Sequence, residues 1–174
     1  ISVRALLAIT KIHNLPTKSI DFVLAFPQAE LDTDVFMEIP AGFSSDLRKT
    51  HVLKLNRSLY GLKQASSNRY KHLTTALKRR QFSQSNNDKC VFFKDGLIVL
   101  VYVDDCIIIG KTDSDIEKFI DSLKNGEENF DFTEEGSLEQ YLGVVIKKIS
   151  DNSFEMRQPF LVDKILKVFG NDQS

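Results

Sequence analysis

The sequence predicts an α+β fold of the βαββαβ type, and three observations carry that reading. The first is a central hairpin, Leu97-Ile-Val-Leu-Val-Tyr-Val-Asp-Asp-Cys-Ile-Ile-Ile109, in which two apolar strand-like runs flank Asp104 and Asp105. The second is a strand-like segment from Lys18 to Val23 that carries Asp21 in an apolar setting. The third is helical periodicity on both sides of the hairpin, over roughly 65–81 and again after Ser114. With a strand expected at Tyr141 to Ile149, the order is strand, helix, hairpin, helix, strand. That is the split βαβ pattern of ferredoxin-like domains, an antiparallel sheet with packed helices. Its first strand lies beside the central hairpin, so Asp21 is expected next to Asp104 and Asp105.

Each element has a local reason. Val3, Leu6, Leu7 and Thr10 recur at helical spacing, and Pro16 bounds that first helix near Asn14. Val35 to Ile39 reads as a short strand closed by a turn at Pro40-Ala-Gly42, and Val52 to Leu55 as another. Tyr60-Gly-Leu-Lys-Gln-Ala65 is a loop leading into a helix with Leu73, Ala76 and Leu77 on one side, Ser66 and Ser67 being its expected caps. Cys90 to Phe93 is strand-like, and Asp95-Gly96 is a two-residue hairpin signal. Ser114-Asp-Ile-Glu117 fits a capping box, with Asp113 as a rival cap. Ile116, Phe119, Ile120 and Leu123 supply that helix's apolar face, and Gly126 its expected stop. Ser153 to Met156 is expected to pair with the Tyr141–Ile149 strand across Asp151-Asn152. Pro159 opens a last helix, Phe160 to Phe169, with Gly170 beyond its end.

Length and composition bound the rest. A chain of 174 residues, 42% apolar and 27% charged, suits one globular domain with a real core. No internal repeat, low-complexity tract or linker interrupts it. No window approaches the roughly 20 apolar residues of a membrane-spanning helix. The start, Ile1-Ser-Val-Arg-Ala, has no Met and no signal-peptide layout, as expected of a cut inside a longer polypeptide. Cys90 and Cys106 lie in apolar runs and read as free buried thiols of a reducing compartment, and His13, His51 and His72 show no zinc spacing. The net charge of −1 conceals an uneven distribution. From Leu47 to Asn87 there is no Asp or Glu but ten of the 23 basic residues, against 13 bases and 24 acids elsewhere. Such a segment fits a polyanionic partner, nucleic acid or a triphosphate, and equally a solvated helix face.

The carboxylate pair is the chemical centre. Neighbouring side chains on a strand point to opposite faces, but a reversal at Asp104–Asp105 lets both converge. Two ionised carboxylates against a low-dielectric sheet repel unless a cation sits between them, and hard divalent ions favour oxygen ligands. An ordinary hairpin turn explains the pair as well, Asp being a common turn residue. Asp21 decides between the two: three converging carboxylates near a basic, Gly-containing segment suit a two-metal phosphoryl-transfer site.

Here the residues resemble a family. Tyr102-Val-Asp-Asp105 resembles the catalytic signature of reverse transcriptases, and the wider set resembles the copia-type retrotransposon branch. The supporting blocks are Ile20-Asp-Phe-Val-Leu-Ala-Phe26, Val35-Phe-Met-Glu-Ile-Pro-Ala-Gly-Phe43, Leu59-Tyr-Gly-Leu-Lys-Gln-Ala65 and Leu138-Glu-Gln-Tyr-Leu-Gly143. The resemblance covers essentially the whole chain, in order. It implies a polymerase palm with part of the fingers over 1–174, with about 157–174 beginning the approach to a thumb. It implies template-directed attack of a primer 3′-hydroxyl on a deoxynucleoside triphosphate. Asp21, Asp104 and Asp105 would hold two magnesium ions, or manganese as a substitute, with the Phe22 carbonyl as an added ligand. Phe26 resembles the steric gate against a ribose 2′-hydroxyl, although a core aromatic explains it too. Tyr60, Gly61, Lys63 and Gln64 would lie beside the nucleotide and template, although Lys63 and Gln64 also read as plain surface residues. Tyr102 and Val103 would meet the primer end. Tyr141, Leu142 and Gly143 would form the primer grip, for which a buried strand with a bulge at Gly143 is the alternative.

The partners so implied are an RNA or DNA template with primer, deoxynucleoside triphosphates, and the fingers, thumb, ribonuclease H and integrase domains of a polyprotein, with no membrane. The implied location is cytoplasmic, within virus-like particles, or nuclear. Two departures stand out: the family's Pro after Gly-Leu-Lys-Gln-Ala is Ser66, and its Ala-Trp pair before Tyr70 is Asn68-Arg69. They leave an inactive nucleic-acid-binding relic as the alternative reading. A nucleotide cyclase shares the two-metal βαββαβ layout, but its Gly-Gly-Asp/Glu-Glu-Phe hairpin is absent from the sequence.

Overall fold

The computed structural model describes residues 2–43, 45–136, 140–141, 144–150 and 153–169. The elements begin with α1 (Ser2–Ile12), β1 (Thr17–Phe22), β2 (Phe36–Glu38), α2 (Ser45–Thr50), β3 (Val52–Lys54) and α3 (Ala65–Arg79). Next come β4 (Ser83–Gln84), β5 (Val91–Lys94), β6 (Leu97–Tyr102), β7 (Asp105–Ile109) and α4 (Asp113–Lys124). The chain continues through β8 (Phe132–Gly136), β9 (Gln140–Tyr141), β10 (Val144–Ser150), β11 (Ser153–Arg157) and α5 (Pro159–Phe169).

Six strands form one antiparallel sheet in the order β4-β5-β6-β7-β1-β8. Its β6-β7-β1-β8 part has the ferredoxin-like order, with β1 between the hairpin and the last strand, as expected. The period of two sends alternate residues to opposite faces. Ile20, Phe22, Phe92, Val99, Val101, Cys106 and Ile108 join Leu73, Ala76 and Leu77 of α3 and Ile116, Phe119, Ile120 and Leu123 of α4 in the main core. On the other face Val91, Leu100, Ile107 and Ile109 meet Leu6 and Leu7 of α1 and Ile146 of β10. Both faces of β6 and β7 are therefore covered, which is why their sequences are almost unbroken apolar runs.

The closing strand differs from expectation. It is β8, Phe132–Gly136, whereas the Tyr141–Ile149 segment contributes β9 and β10 to a separate three-stranded sheet with β11. An edge strand needs few apolar residues: Phe132 meets the Phe22 ring edge-on at 5.6 Å, and its polar neighbours face outward. The more apolar β10 covers the opposite face through Ile146. The β10–β11 pairing closes at Ser150 and Ser153, while Asp151-Asn152 and Gly170 lie outside the described residues. Two further elements went unanticipated, the six-residue α2 and the two-residue β4.

Local chemistry corrects the starts of two helices and explains the end of one. The N-cap of α4 is Thr112, whose hydroxyl accepts from the Asp115 amide at 3.2 Å and donates to its carboxylate at 2.7 Å. The cap therefore lies two residues ahead of the expected one. Helix α3 starts from Gln64 without a side-chain cap, so Ser66 and Ser67 lie inside its first turn. Gly126 follows the C-cap Asn125, and a Cβ there would collide with the Arg80 guanidinium, so the glycine makes room rather than turning the chain. Asp95 and Gly96, at φ 47° and 85°, form the expected tight turn between β5 and β6. Cys106 is buried and Cys90 half-buried, both as free thiols.

Glu128 ties the end of α3 to the loop after α4, accepting from Arg80 at 2.9 Å and from Arg79 at 3.0 Å. Burial pushes its carboxyl up, but the two arginines outweigh that and hold it below its ordinary value of 4.5. A depressed carboxyl stabilises the fold above the unfolded-state value, and that contribution is lost as pH falls through the folded-state value. Glu128→Gln is therefore expected to cost about 1–2 kcal/mol at neutral pH. It is also expected to flatten the decline of melting temperature from about pH 6 to about pH 3. Thermal melts across that range check both.

Candidate active site

The site grows from the β6–β7 reversal. Tyr102 and Asp105 pair across the hairpin, which leaves Val103 and Asp104 as a two-residue tip. Val103 has φ 48°, a left-handed conformation that a β-branched residue rarely adopts. That conformation costs an L-residue roughly 1–2 kcal/mol, while glycine carries an entropy cost of about 0.5–1 kcal/mol. Val103→Gly is therefore expected to raise the melting temperature by about 1–3 °C, and a lower value would show that the valine side chain stabilises the tip. The tip is tied to β1 by the Phe22 amide, which donates to the Asp104 carbonyl at 2.8 Å.

That tie places the carboxylates. Asp21 stands directly opposite Asp105 in the β1–β7 pair, so the two side chains leave the same face of the sheet. Burial pushes the Asp105 carboxyl above its ordinary value of 3.8, and the charges of Asp21, Glu135 and Asp104 add to the push. Glu135 is a contributor that the sequence did not flag. It lies at a register shift, where Ser19 pairs with Gly136 and Ile20 with Glu134, and such bulges redirect side chains.

Asp104 is held differently. Its Oδ2 accepts from the Tyr60 hydroxyl at 3.2 Å, and its Oδ1 is buried without a hydrogen-bond partner. Among the described residues, no three His, Cys, Asp or Glu side chains are gathered closely enough to hold an ion. Of the expected trio, Asp21 and Asp105 are thus brought together as a facing pair, while Asp104 at the adjoining tip is held by Tyr60. The donors fit a hard cation: all are carboxylate oxygens, one of them buried and unsatisfied.

The remaining expected residues distribute around this turn. Phe22 is buried in the main core. Phe26, 8% exposed, meets the Tyr60 ring edge-on at 4.4 Å. It also lines a cavity of about 240 Å³ with Arg69, Leu73, Val101, Tyr102 and Val103. Gly61 has φ 93° and open space where a Cβ would lie, so backbone conformation explains the glycine. Lys63 is exposed and Gln64 half-buried. Tyr102 and Val103 are about half-exposed at the tip. Tyr141 pairs with Val144 in the smaller sheet, and Leu142 and Gly143 lie outside the described residues.

Arg69 is the residue whose place in the site went unread. It is 2% exposed, and its guanidinium stacks on the Phe22 ring at 4.0 Å. Its spacing from Leu73, Ala76 and Leu77 puts it on the buried side of α3, a signal that was available. The acid-free segment is also less one-signed in space than in sequence. Lys54 pairs with Asp34, Arg57 with Glu30, Lys71 with Asp32, and Arg79 and Arg80 with Glu128.

The family model described as reverse transcriptase (RNA-dependent DNA polymerase) matches residues 1–173. The chain is similar to the retrovirus-related Pol polyprotein from transposon TNT 1-94 of Nicotiana tabacum, 31% identical over 97% of this chain and 13% of that protein. It is similar to the Pol polyprotein from transposon RE1 of Arabidopsis thaliana, 29% identical over 95% of this chain and 11% of that protein. A Ty5-1 transposon protein of Saccharomyces cerevisiae is 26% identical over 78% of this chain and 44% of its own length. The chain thus spans about an eighth of the first two relatives.

Proposed function

The chain belongs to the reverse transcriptase (RNA-dependent DNA polymerase) family, in its copia-type retrotransposon branch, and from that premise we propose that it is the palm of an RNA-directed DNA polymerase. The reaction is attack of a primer 3′-hydroxyl on a deoxynucleoside triphosphate, with pyrophosphate leaving. The observation that carries the proposal is Asp21 facing Asp105 beside the Asp104 tip, in a chain that the family model matches almost end to end.

Bound magnesium, or manganese, supplies activation of the hydroxyl and neutralisation of the leaving phosphate. Asp21, Asp104 and Asp105 are its ligands in this proposal, with the Phe22 carbonyl beside them. Phe26 bounds the sugar, and Tyr60, Gly61, Lys63 and Gln64 flank the nucleotide. Tyr102 and Val103 are exposed at the tip and so are free to meet the primer end. Tyr141, Leu142 and Gly143 are assigned to the primer grip. Residues 1–174 form the palm with partial fingers, and about 157–174 lead toward a thumb. Template, primer and the other polyprotein domains are the partners, with virus-like particles or the nucleus as the place of action. Among the described residues no helix is long and apolar enough to cross a membrane.

A second reading, an inactive nucleic-acid-binding relic, is favoured by Arg69 in the core and by carboxylates that, among the described residues, are not gathered as a threefold ion site. Primer extension by a polypeptide that continues through the flanking polyprotein domains separates the two. Magnesium-dependent extension supports the polymerase, and magnesium-independent binding without extension supports the relic.

A further inference from the structure

Arg69 presents an unusual balance. Its Nε, Nη1 and Nη2 are all buried and all lack a hydrogen-bond partner. A buried guanidinium normally finds a carboxylate or a carbonyl, because five desolvated donors are costly. The faces of Phe22, at 4.0 Å, and Phe130, at 5.6 Å, recover part of that cost through their ring quadrupoles. They leave the charge itself uncompensated.

A half-satisfied anion is tied to Phe22 as well. The Phe22 ring carries Arg69, and the Phe22 amide holds the Asp104 carbonyl, so both groups are fixed to one point of β1. Asp104 Oδ1 is itself buried and partnerless, and Asp104 is the carboxylate whose charge reaches Arg69. The second oxygen is engaged by Tyr60, whose ring is braced against Phe26. Asp104 is thus held by the Tyr60 hydroxyl at one oxygen and feels the Arg69 charge.

We propose that Arg69 and Tyr60 form an internal latch on Asp104 that competes with a divalent ion for this carboxylate. The inference rests on the reading above, that the carboxylates take such an ion. An ion taken by Asp104 competes with the Tyr60 hydroxyl for the charge of the carboxylate and works against the field of a buried cation. Arg69 is therefore a positioning residue that sets ion affinity without touching the ion.

The test titrates Mn2+ alone into this chain, without nucleotide, and follows binding by electron paramagnetic resonance. Arg69→Met keeps the length and removes the charge, and its affinity is expected to rise at least tenfold, a factor that one unit charge exceeds even about 10 Å away at a dielectric of about 20. Tyr60→Phe, at an exposed position that cannot upset the core, is expected to tighten binding about threefold. Arg69→Lys keeps the charge and should keep the wild-type affinity. Unchanged or weaker binding in both Arg69→Met and Tyr60→Phe overturns the latch, and Tyr60→Phe alone decides if the Arg69 variant fails to fold. Wild-type binding that Asp105→Asn does not weaken removes the metal reading, and the latch with it.

Discussion

Asp105→Asn is expected to lower kcat of a primer-extending polypeptide by about 10³-fold or more, while raising the melting temperature of this chain. The first effect follows from the proposed chemistry. Charge stabilisation by a bound metal supplies several kcal/mol to a phosphoryl transfer, and an amide in place of a carboxylate forfeits most of it. The second follows from the metal-free electrostatics. Burial and the charges of Asp21, Glu135 and Asp104 push the Asp105 carboxyl up. A raised carboxyl subtracts from stability wherever it is ionised, and that cost fades as pH falls below its folded-state value. Asparagine removes the cost at neutral pH, so a gain of about 1–3 °C is expected. Extension assays and thermal melts on the same substitution check the pair. A variant that loses activity and also melts earlier would mean that Asp105 supports the fold rather than the chemistry.

The opposed signs explain which parts of the site were legible in the sequence. The apolar runs around Asp104–Asp105 and the Asp-Gly turn before them are local signals, and both hairpins stand where they were read. The neighbour relation of β1 and β7 was legible because the βαββαβ order leaves few topologies for six elements. What failed was non-local or weakly apolar. The segment Phe132-Thr-Glu-Glu-Gly136 has one apolar residue and nonetheless closes the sheet, because an edge strand buries only one side. Arg69 was read only as a departure from a family pattern, since basic residues on helices mostly face water. Its stacking on Phe22 depends on a β1–α3 contact that spans more than forty residues of chain. The tie between Tyr60 and Asp104 has the same character. The acid-free segment misled in the opposite sense, because Glu30, Asp32, Asp34 and Glu128 return from elsewhere to pair with it.

Phe26 carries the sharpest remaining expectation, because its two readings now share one geometry. The ring is mostly buried, as a core aromatic would be, yet it touches Tyr60, which reaches Asp104. Phe26→Val removes a ring that lines an existing cavity of about 240 Å³, so the site can collapse only in part. A loss on the order of 1–3 kcal/mol is expected whichever reading holds, and stability alone cannot discriminate. Sugar choice can. A wall of apolar shape rejects an added hydroxyl by about 10²-fold at most, so a gate at Phe26 should lose most of that factor when truncated. The expected result is a ribonucleotide-to-deoxyribonucleotide incorporation ratio raised by about 10- to 100-fold, with the carboxylates intact and a lower melting temperature. Both quantities are to be read on one polypeptide long enough to extend a primer. A lowered melting temperature with unchanged sugar preference would assign Phe26 to the core alone, and the discrimination would then have to come from Tyr60 or from the backbone at Gly61.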